Sequence, residues 1–504
     1  MSQATPHSAF RTPHSILALD IGTSSTRALL FDLHGDKIGD AAQKPYDQTT
    51  TPDGGVETDA DALLELTCAC IDELSARAQG EILAVAASCF WHSLLAVDES
   101  GNALSPLYSW ADNRAAPWIA PLCATLDKDA AHARTGCVFH TSYWPAKLLW
   151  LHHTRPELFG PDTRWMSFGE YLELKLFGAA RVSLSMASGT GIFHQAKCDW
   201  DDETLAALPI ERENLSPLCE FVPHSGVLLD VFKARWPRLI ESKWFPALGD
   251  GACSNVGSGG TDATKLVLNV GTSGAVRVVL ENYDAPAPRG LWRYRLDRRR
   301  SVMGGALSNG GSVFAWVKAN FNLPENVEEL ISGMPSDSHG LVVLPFLAGE
   351  RSPLWNADAR FVLAGASLDT TAADILRACL ESVSLRFAAV AALVRRAVEE
   401  NGDAAPQEII ASGGALGKSA CWKQIMADAL GTDLGESQES EASARGAALM
   451  ALEACEIISD IADLPAQVGE KVRPNAASVS VFQRARERQN HLIEKLLGDP
   501  LTAH

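Results

Sequence analysis

The sequence predicts an α/β protein composed of two large domains. At 504 residues the chain is too long for a single hydrophobic core, so two domains are the natural expectation. Short apolar segments that predict strands alternate with longer segments of helical periodicity, which is typical of α/β folds. A strand–turn–strand motif near the N-terminus occurs again about half a chain later, and this repeat indicates a duplicated domain.

The first copy of the motif covers residues 16–32. Two apolar runs flank a Gly-Thr-Ser-Ser turn at residues 22–25, and this pattern predicts a β-hairpin. Gly22 lets the backbone approach a ligand closely, and the amides and hydroxyls after it offer donors to a phosphate. Asp20 ends the first strand, where its carboxylate would repel a phosphate unless a hydrated divalent cation lay between them. Taken alone, such a turn is more often an ordinary hairpin turn.

The second copy covers residues 268–274, with the turn at residues 271–274. An apolar strand again follows the turn, but Asn269 stands where the first copy has Asp20. Two such turns from two halves of the chain predict one nucleotide held between them. The predicted metal site belongs to the first half only.

Composition excludes several classes of function. The chain is 46% hydrophobic and 21% charged, as in an ordinary globular protein. A net charge of −19 argues against nucleic acid or an anionic membrane as partner. The 11 cysteines include no Cys-x-x-Cys pair, which favours reduced thiols over disulfides or a zinc site. Residues 1–15 lack the apolar stretch of a signal peptide and no run could span a membrane, so we expect a soluble, cytoplasmic protein.

The first half continues with alternating strands and helices. The pattern predicts a third strand over residues 37–44, a helix over 60–78 with Asp59 at its N-terminus, and strands over 82–87 and 94–97. Next, residues 135–150 are rich in aromatic and polar side chains before a predicted helix. An aromatic face with a few polar groups is what a sugar site needs, and a packing cluster rich in tryptophan is the alternative.

Residues 243–252 predict a strand, a tight turn and a helix. Asp250 then lies where the helix begins at the carboxyl end of the strand, a common catalytic position in α/β folds. A simple helix N-cap is the alternative. Upstream, residues 183–191 are mostly small and predict a loop or an irregular strand.

The second half repeats the alternation. We expect a long helix over residues 371–399 and a strand over 408–411 that leads through Gly413 and Gly414 into another helix. A glycine pair at such a turn permits close approach of an adenine or ribose, and a tight connection is the alternative. Residues 289–300 hold six arginines, which predict a solvated β-hairpin turn rather than an anion site.

With these motifs in order, the chain resembles the FGGY family of carbohydrate kinases along nearly its whole length. Residues 20–27 and 269–274 are similar to the two phosphate motifs of the family, and residues 412–428 are similar to its adenosine motif and C-terminal signature. Residues 249–252 match the segment that carries the family's catalytic base. The N-terminal signature departs from the family pattern at Trp144, a place usually given to Ser, Thr or Pro.

The resemblance implies two ribonuclease-H-like domains of the actin and sugar-kinase type, residues 1–253 and 254–504, with the active site in the cleft between them. It implies in-line transfer of the γ-phosphoryl group of ATP to a sugar hydroxyl, with Asp250 as catalytic base and Asp20 positioning Mg²⁺. The implied nucleotide-binding residues are Gly22, Thr23, Ser24, Ser25, Arg27, Gly271, Thr272, Ser273, Gly311, Gly413, Gly414, Ala415 and Lys418. The implied substrate-binding residues are Trp91, His92, Asp112, Arg114, Tyr143, Trp144 and Asp250.

The choice of sugar rests on three further segments. Residues 109–114, 250–255 and 345–355 look most like the gluconate kinases of the family, with the xylulose and ribulose kinases as the alternative. Gluconate carries a carboxylate, so its site should hold a cation within reach. The candidate cations are Arg114, Lys147 and His92.

The expected partner is a small sugar or sugar acid, and neither nucleic acid nor a membrane is expected. The candidate assembly is a homodimer. Two other classes stay open. An actin-like or chaperone-type ATPase would share the repeated turns but needs no aromatic sugar site. A kinase-derived regulatory protein would bind a sugar without phosphorylating it, and the retention of Asp20 and Asp250 argues against it.

Overall fold

The structure is a computed structural model that describes residues 14–283 and 285–498. The N-terminal segment without a signal-peptide pattern, residues 1–15, lies almost wholly outside the described residues. The strands of the first half are β1 (His14–Ile21), β2 (Ser25–Phe31), β3 (Lys37–Pro45), β4 (Thr49–Thr50), β5 (Val56–Thr58), β6 (Glu81–Cys89), β7 (Leu95–Val97), β8 (Leu107–Tyr108), β9 (Arg164–Met166), β10 (Val182–Ser183), β11 (Phe193–His194), β12 (Asp199–Trp200), β13 (Leu218–Cys219), β14 (Lys243–Trp244) and β15 (Leu248–Gly249). Its α-helices are α1 (Ala60–Arg77), α2 (Ile119–Thr125), α3 (Lys128–Thr135), α4 (Trp144–Thr154), α5 (Phe168–Phe177), α6 (Leu184–Ser188), α7 (Asp202–Leu205), α8 (Asp230–Arg235) and α9 (Asp250–Gly257).

The second half has fewer and longer elements. Its strands are β16 (Lys265–Val270), β17 (Gly274–Glu281), β18 (Trp292–Arg295), β19 (Arg300–Leu307), β20 (Val342–Leu344), β21 (Val362–Ala364), β22 (Glu408–Ser412) and β23 (Leu434–Glu436). Its α-helices are α10 (Gly311–Asn320), α11 (Val327–Gly333), α12 (Ala372–Glu400), α13 (Ala420–Leu430), α14 (Ala442–Ala454) and α15 (Ala476–Leu497).

Two sheets of matching topology form the centres of the two halves. The first has the strand order β14-β6-β1-β2-β3, and the second has the order β18-β19-β17-β16-β22-β23. In each sheet three antiparallel strands, β3-β2-β1 or β19-β17-β16, precede a strand that pairs in parallel with the first strand of the hairpin. Parallel pairing requires a crossover connection, which the intervening helices supply. The repeat of the sequence motif is therefore a repeat of sheet topology, and the predicted α/β fold is confirmed.

Both hairpin turns lie at the carboxyl ends of the parallel strands in their sheets. Asp20 pairs with Ser88 across β1 and β6, and Asn269 pairs with Ser412 across β16 and β22. Ligands of open α/β sheets bind at this edge, because the loops that follow the strands leave a crevice there. The topology therefore places the two turns where a shared ligand can reach them.

The two hydrophobic cores do not follow the order of the chain. Helix α14 comes after the second sheet, yet its buried residues 444 and 447–452 belong to the core around β1 and β6. There it packs closely on α9, since a Cβ added to Gly446 would lie 1.9 Å from the carbonyl oxygen of Cys253. The predicted boundary between residues 253 and 254 falls inside α9, and it stays a prediction.

Most predicted elements are present, and one segment corrects the expectation. The predicted helices over residues 60–78 and 371–399 are observed as α1 and α12. Residues 183–191, expected as a loop or irregular strand, instead contain the short helix α6. It forms because the Ser183 hydroxyl caps it by accepting a hydrogen bond from the backbone amide of Met186 at 3.1 Å.

The arginine-rich segment forms the predicted β-hairpin, but only its turn is solvated. Arg293, Arg295 and Arg300 are each at most 3% exposed. Arg295 donates to the carbonyl of Gln195 in the first half at 2.6 Å, and Arg300 donates to Asp297, also at 2.6 Å. Buried guanidinium groups are tolerated when their donors are used in this way. The hairpin therefore links the two halves of the molecule.

Among the described residues, no helix is both long and apolar enough to cross a membrane.

Candidate active site

The two turns and the start of helix α9 border one cavity of about 250 Å³ between the two halves. Its lining from the first half is Thr23, Trp91, His92, Trp110, Ser142, Tyr143, Asp250 and Gly251. Its lining from the second half is Asn269, Ser273, Gly274, Ala275, Arg277, Trp292, Tyr294, Ala306, Arg351 and Trp355. This volume suits one small polar molecule. A larger cavity of about 850 Å³, near Lys423 and Glu436, includes none of the predicted site residues.

The first turn is closed by its own backbone. The Gly22 amide donates to the Ser25 carbonyl at 3.0 Å, and the Tyr46 hydroxyl donates to the Gly22 carbonyl at 2.5 Å. Thr23 lines the cavity and Ser24 is exposed, so both can meet a ligand. The side chain of Ser25 is buried, and its hydroxyl accepts a hydrogen bond from Gln43. The structure thus brings Thr23, but not the Ser25 hydroxyl, to the cavity.

The second turn meets two other predicted nucleotide segments. The Gly311 amide at the start of α10 donates to the Gly271 carbonyl at 2.8 Å, and the Gly310 amide donates to the Thr272 carbonyl at 3.1 Å. A Cβ on Gly311 would lie 2.7 Å from the Cβ of Ala415, which shows how closely the adenosine motif approaches. The structure therefore assembles these segments beside Ser273, which lines the cavity.

The Gly-Gly turn of the adenosine motif packs on the end of β16. Gly413 has φ +95°, and a Cβ there would lie 2.6 Å from the Val270 carbonyl oxygen, so the position requires glycine. Gly414 and Lys418 are exposed beside it.

Asp250 is the first residue of α9, and Gly249 is the N-cap residue. The alternative of a simple N-cap at Asp250 is therefore wrong. Its Oδ1 accepts a hydrogen bond from the Gly251 amide at 2.8 Å. Trp91 packs directly on this turn, because a Cβ on Gly249 would lie 1.8 Å from the indole ring. Burial raises the pKa of Asp250, and the positive charge of Arg277 opposes that rise.

Three carboxylates gather near the first turn. Burial raises the pKa of Asp20 to about 6, Arg27 acts against this, and the negative charges of Asp250 and Glu441 add to it. Arg27, predicted at the phosphates, is paired with Glu441 at 2.7 Å and lies 3.9 Å from Asp20. An excess of carboxylate oxygens beside a phosphate-type turn fits a hard divalent cation such as Mg²⁺.

An aromatic wall covers one side of the cavity. The rings of Trp292 and Tyr294 are stacked with centroids 4.4 Å apart, and the ring of Trp91 meets Tyr294 edge-on at 4.7 Å. The hydroxyls of Tyr143 and Tyr294 share a hydrogen bond of 2.6 Å across the two halves. Such rings offer flat faces to the C–H groups of a sugar.

His92 lies in this wall with an unusual backbone. Its φ of 69° is in the left-handed region that residues other than glycine rarely adopt, and such strain is common at functional sites. Burial lowers the pKa of His92 to about 3, so the ring is neutral at neutral pH. Its Nδ1 donates to the Gly189 carbonyl, which leaves Nε2 as a hydrogen-bond acceptor.

Three predicted sugar-binding residues are outside the cavity lining. Trp144 is 1% exposed and donates its indole N–H to the Ser93 carbonyl at 3.0 Å. Asp112 is fully buried and bonded to Arg114, and Arg114 also pairs with Glu57 at 2.7 Å. The polar groups of Trp144, Asp112 and Arg114 are thus used by partners within the first half, and contact of these residues with a sugar stays a prediction.

Of the three cations predicted for a sugar acid, Arg114 and Lys147 lie outside the cavity lining, and His92 lines it. His92 is neutral, and Lys147 is fully buried with its ammonium donating to the Ser142 carbonyl at 2.8 Å. The cations that do line the cavity are Arg277 and Arg351, which sequence reasoning missed. A signal was present for Arg277, because it is the one charged residue in the apolar strand over residues 275–280. Strand alternation places it on the cleft face with Ala275.

Each half of the chain matches one domain model of a known protein family. The N-terminal domain model of the FGGY family of carbohydrate kinases matches residues 15–251, and the C-terminal domain model of that family matches residues 266–455. A gluconokinase of Bacillus subtilis (strain 168) is 28% identical over 479 residues, covering 91% of each chain.

Two solved structures from Lactobacillus acidophilus share the whole architecture. A gluconate kinase superposes with a TM-score of 0.89 at 25% identity, covering 96% of this chain and 98% of its own. A xylulose kinase superposes with a TM-score of 0.90, also at 25% identity, covering 96% of this chain and 99% of its own.

Proposed function

The chain belongs to the FGGY family of carbohydrate kinases, and we propose that its acceptor is D-gluconate. As a member of that family it is an ATP-dependent kinase that phosphorylates a hydroxyl of a small sugar substrate. The observation that carries the proposal is the single cavity bordered by Thr23, Ser273 and Asp250 together with two arginines. It combines sites for phosphates, a base and an anionic acceptor.

In the proposed reaction Asp250 is the catalytic base. Its carboxylate accepts the proton of the attacking hydroxyl, and its raised pKa makes it a better proton acceptor than an exposed aspartate. The Gly251 amide holds one carboxylate oxygen, so the other is directed for the proton transfer. Trp91 packs against the Gly249–Gly251 backbone and keeps this turn in place.

The two turns bind the phosphate groups of ATP. Residues 22–24 act from the first half and residues 271–273 from the second, while Gly311, Gly413, Gly414, Ala415 and Lys418 border the adenosine. Asp20, near Glu441, would hold Mg²⁺ through its waters. When bound, Mg²⁺ neutralises charge on the β- and γ-phosphate oxygens.

The acceptor lies against the aromatic wall. Trp91, Tyr143 and neutral His92 contact its carbon chain and hydroxyls. Asp112, Arg114 and Trp144 lie outside the cavity lining and make their polar contacts within the first half. The assignment to gluconate is supported by the two arginines of the cavity and by the likeness to proteins named gluconokinase and gluconate kinase.

A pentulose is the second candidate acceptor. It is favoured by the equally close superposition on a protein named xylulose kinase. ADP release coupled to a reporter enzyme, measured over gluconate, xylulose, ribulose, glucitol and glycerol, separates the candidates. We expect the highest kcat/KM with gluconate. Preference for a pentulose would overturn the choice of acceptor, and no sugar-dependent ADP release would favour a regulatory ATPase. The homodimer and the cytoplasmic location stay predictions.

A further inference from the structure

Arg277 is a partly buried arginine, and two of its guanidinium nitrogens are buried without a hydrogen-bond partner among the described residues. It lies on β17, where Val276 and Val278 on either side are fully buried in the core. Its Nε and Nη1 are inaccessible to water and make no hydrogen bond within the described part of the chain. Buried donors are nearly always satisfied, since an unsatisfied one costs free energy and a charged one costs more. The group therefore points to a ligand that the free protein does not provide.

The surroundings of Arg277 define that ligand as an anion. Its guanidinium reaches over the start of α9, where a Cβ on Gly251 would lie 3.3 Å from Nε. Arg351 lines the same cavity, with its guanidinium 5.3 Å from the ring centroid of Trp110. Burial lowers the pKa of both arginines, the positive charge of Arg351 lowers that of Arg277 further, and the negative charge of Asp250 opposes this. Two cations facing one carboxylate leave this part of the cavity positive.

We infer that Arg277 and Arg351 together bind the carboxylate of the acceptor, which makes the acceptor a sugar acid. The guanidinium fork matches the two oxygens of a carboxylate, and such charge-assisted pairs are among the strongest hydrogen bonds in proteins. This inference rests on the proposed kinase activity and names the residues that select its substrate.

The position of Arg277 favours a carboxylate over the transferred phosphate. Arg277 follows Gly274 of the second turn by three residues of extended strand, about 10 Å along β17. Its side chain lies toward Gly251 and the Trp91 wall, on the acceptor side. Asp250 repels the acid group of the substrate, so the carboxylate binds at the arginines while a hydroxyl faces the base.

The test is a comparison of acid and neutral acceptors in Arg277→Met and Arg277→Lys. Loss of a charge-assisted contact should lower kcat/KM for gluconate about 10- to 100-fold in Arg277→Met. Lysine keeps the charge but not the fork, so Arg277→Lys should lose less. Turnover of xylulose should fall much less than turnover of gluconate in both variants, since a neutral acceptor makes no charge-assisted contact there. The control is Arg396→Met, which removes an exposed arginine of α12 and should leave both substrates unaffected.

Binding without turnover keeps the test independent of catalysis. Titration calorimetry of the wild-type protein should show gluconate binding at least about tenfold tighter than glucitol, which differs only at the carboxyl carbon, and Arg277→Met should abolish the preference. Folding of Arg277→Met is checked by thermal unfolding, which should show a cooperative transition as in the wild type.

The outcomes separate this inference from the proposed function. Equal losses with gluconate and xylulose would make Arg277 a partner of Asp250 or of the phosphates, and would overturn the inference. So would a wild-type enzyme that phosphorylates pentuloses but neither binds nor phosphorylates sugar acids, although the kinase activity would then stand. If no acceptor releases ADP, the proposed function fails, and the gluconate–glucitol preference in calorimetry still decides the inference.

Discussion

Replacing Gly446 by alanine should displace Asp250, the proposed catalytic base, without changing that residue. A Cβ at this position would lie 1.9 Å from the carbonyl oxygen of Cys253 on α9, while real contacts of this kind do not fall below 3.0 Å. Helices α9 and α14 must therefore separate by at least about 1 Å, because both of the clashing groups are fixed to a helical backbone. Cys253 lies one turn after Asp250, so the displacement is transmitted to the start of α9.

The expected costs follow from that distance. Overpacking of this kind destabilises a core by about 1–3 kcal/mol. A misplacement of about 1 Å at a reacting group can cost about 100-fold in rate, so kcat should fall by about 10- to 100-fold. The second turn belongs to the other half of the molecule, so the affinity for ATP should change much less.

The assay combines thermal unfolding with steady-state kinetics for Gly446→Ala and a matched control. Gly333 ends α11, and a Cβ added there would have no atom within 4 Å, so Gly333→Ala is the same chemical change in open space. The control should keep wild-type kcat and melting temperature. The reasoning is refuted if Gly446→Ala retains full kcat, or if both variants lose activity equally.

Three further predictions concern the site itself. Asp250→Asn should lower kcat by about 100-fold or more with ATP binding retained. In the wild type, activity should fall as the pH drops through the raised pKa of Asp250, because the protonated carboxyl group cannot accept a proton. Arg114→Ala should lower the melting temperature, because it leaves the buried carboxylate of Asp112 unpaired. Turnover of acid and neutral acceptors should fall alike, and a loss confined to gluconate would contradict a purely structural role of Arg114. A crystal structure with bound nucleotide should show Thr23 and Thr272 both within about 2.7–3.2 Å of phosphate oxygens, and distances too long for hydrogen bonds would refute the shared phosphate site.

The fold was predictable because its signals are local and repeated. The hairpins at residues 16–32 and 268–280 carry strand periodicity and turn glycines in the same order, and a duplicated motif implies a duplicated sheet. Long amphipathic helices such as α12 were equally clear. Helix α6 was missed because its five residues are mostly small, and its stability comes from capping and burial rather than from periodicity.

The residues of the proposed site could be predicted only where one segment of sequence shows both a location after a strand and a side chain or turn suited to a ligand. Asp250 and the two turns satisfy that condition, since each follows a strand at the ligand-binding edge. Arg114 fails it, because its residue type suits an anion while its ion pair with Glu57 depends on a strand far away in sequence. Arg277 shows the converse: a single charge in an apolar strand is a signal in the sequence, but only the opposing half of the molecule turns the surface around it into a cavity wall.

Charges of opposite sign gather on two sides of the cleft. The negative charges of Asp250 and Glu441 raise the pKa of Asp20 on the side of the first turn, whereas Arg277 and Arg351 line the acceptor side. Like charges on each side repel one another in the empty site. In the proposed reaction Mg²⁺ would relieve the repulsion among the carboxylates, and a sugar acid would relieve the repulsion between the arginines. In the proposed reaction, closure of the cleft over the bound ligands would exclude water and so protect ATP from hydrolysis.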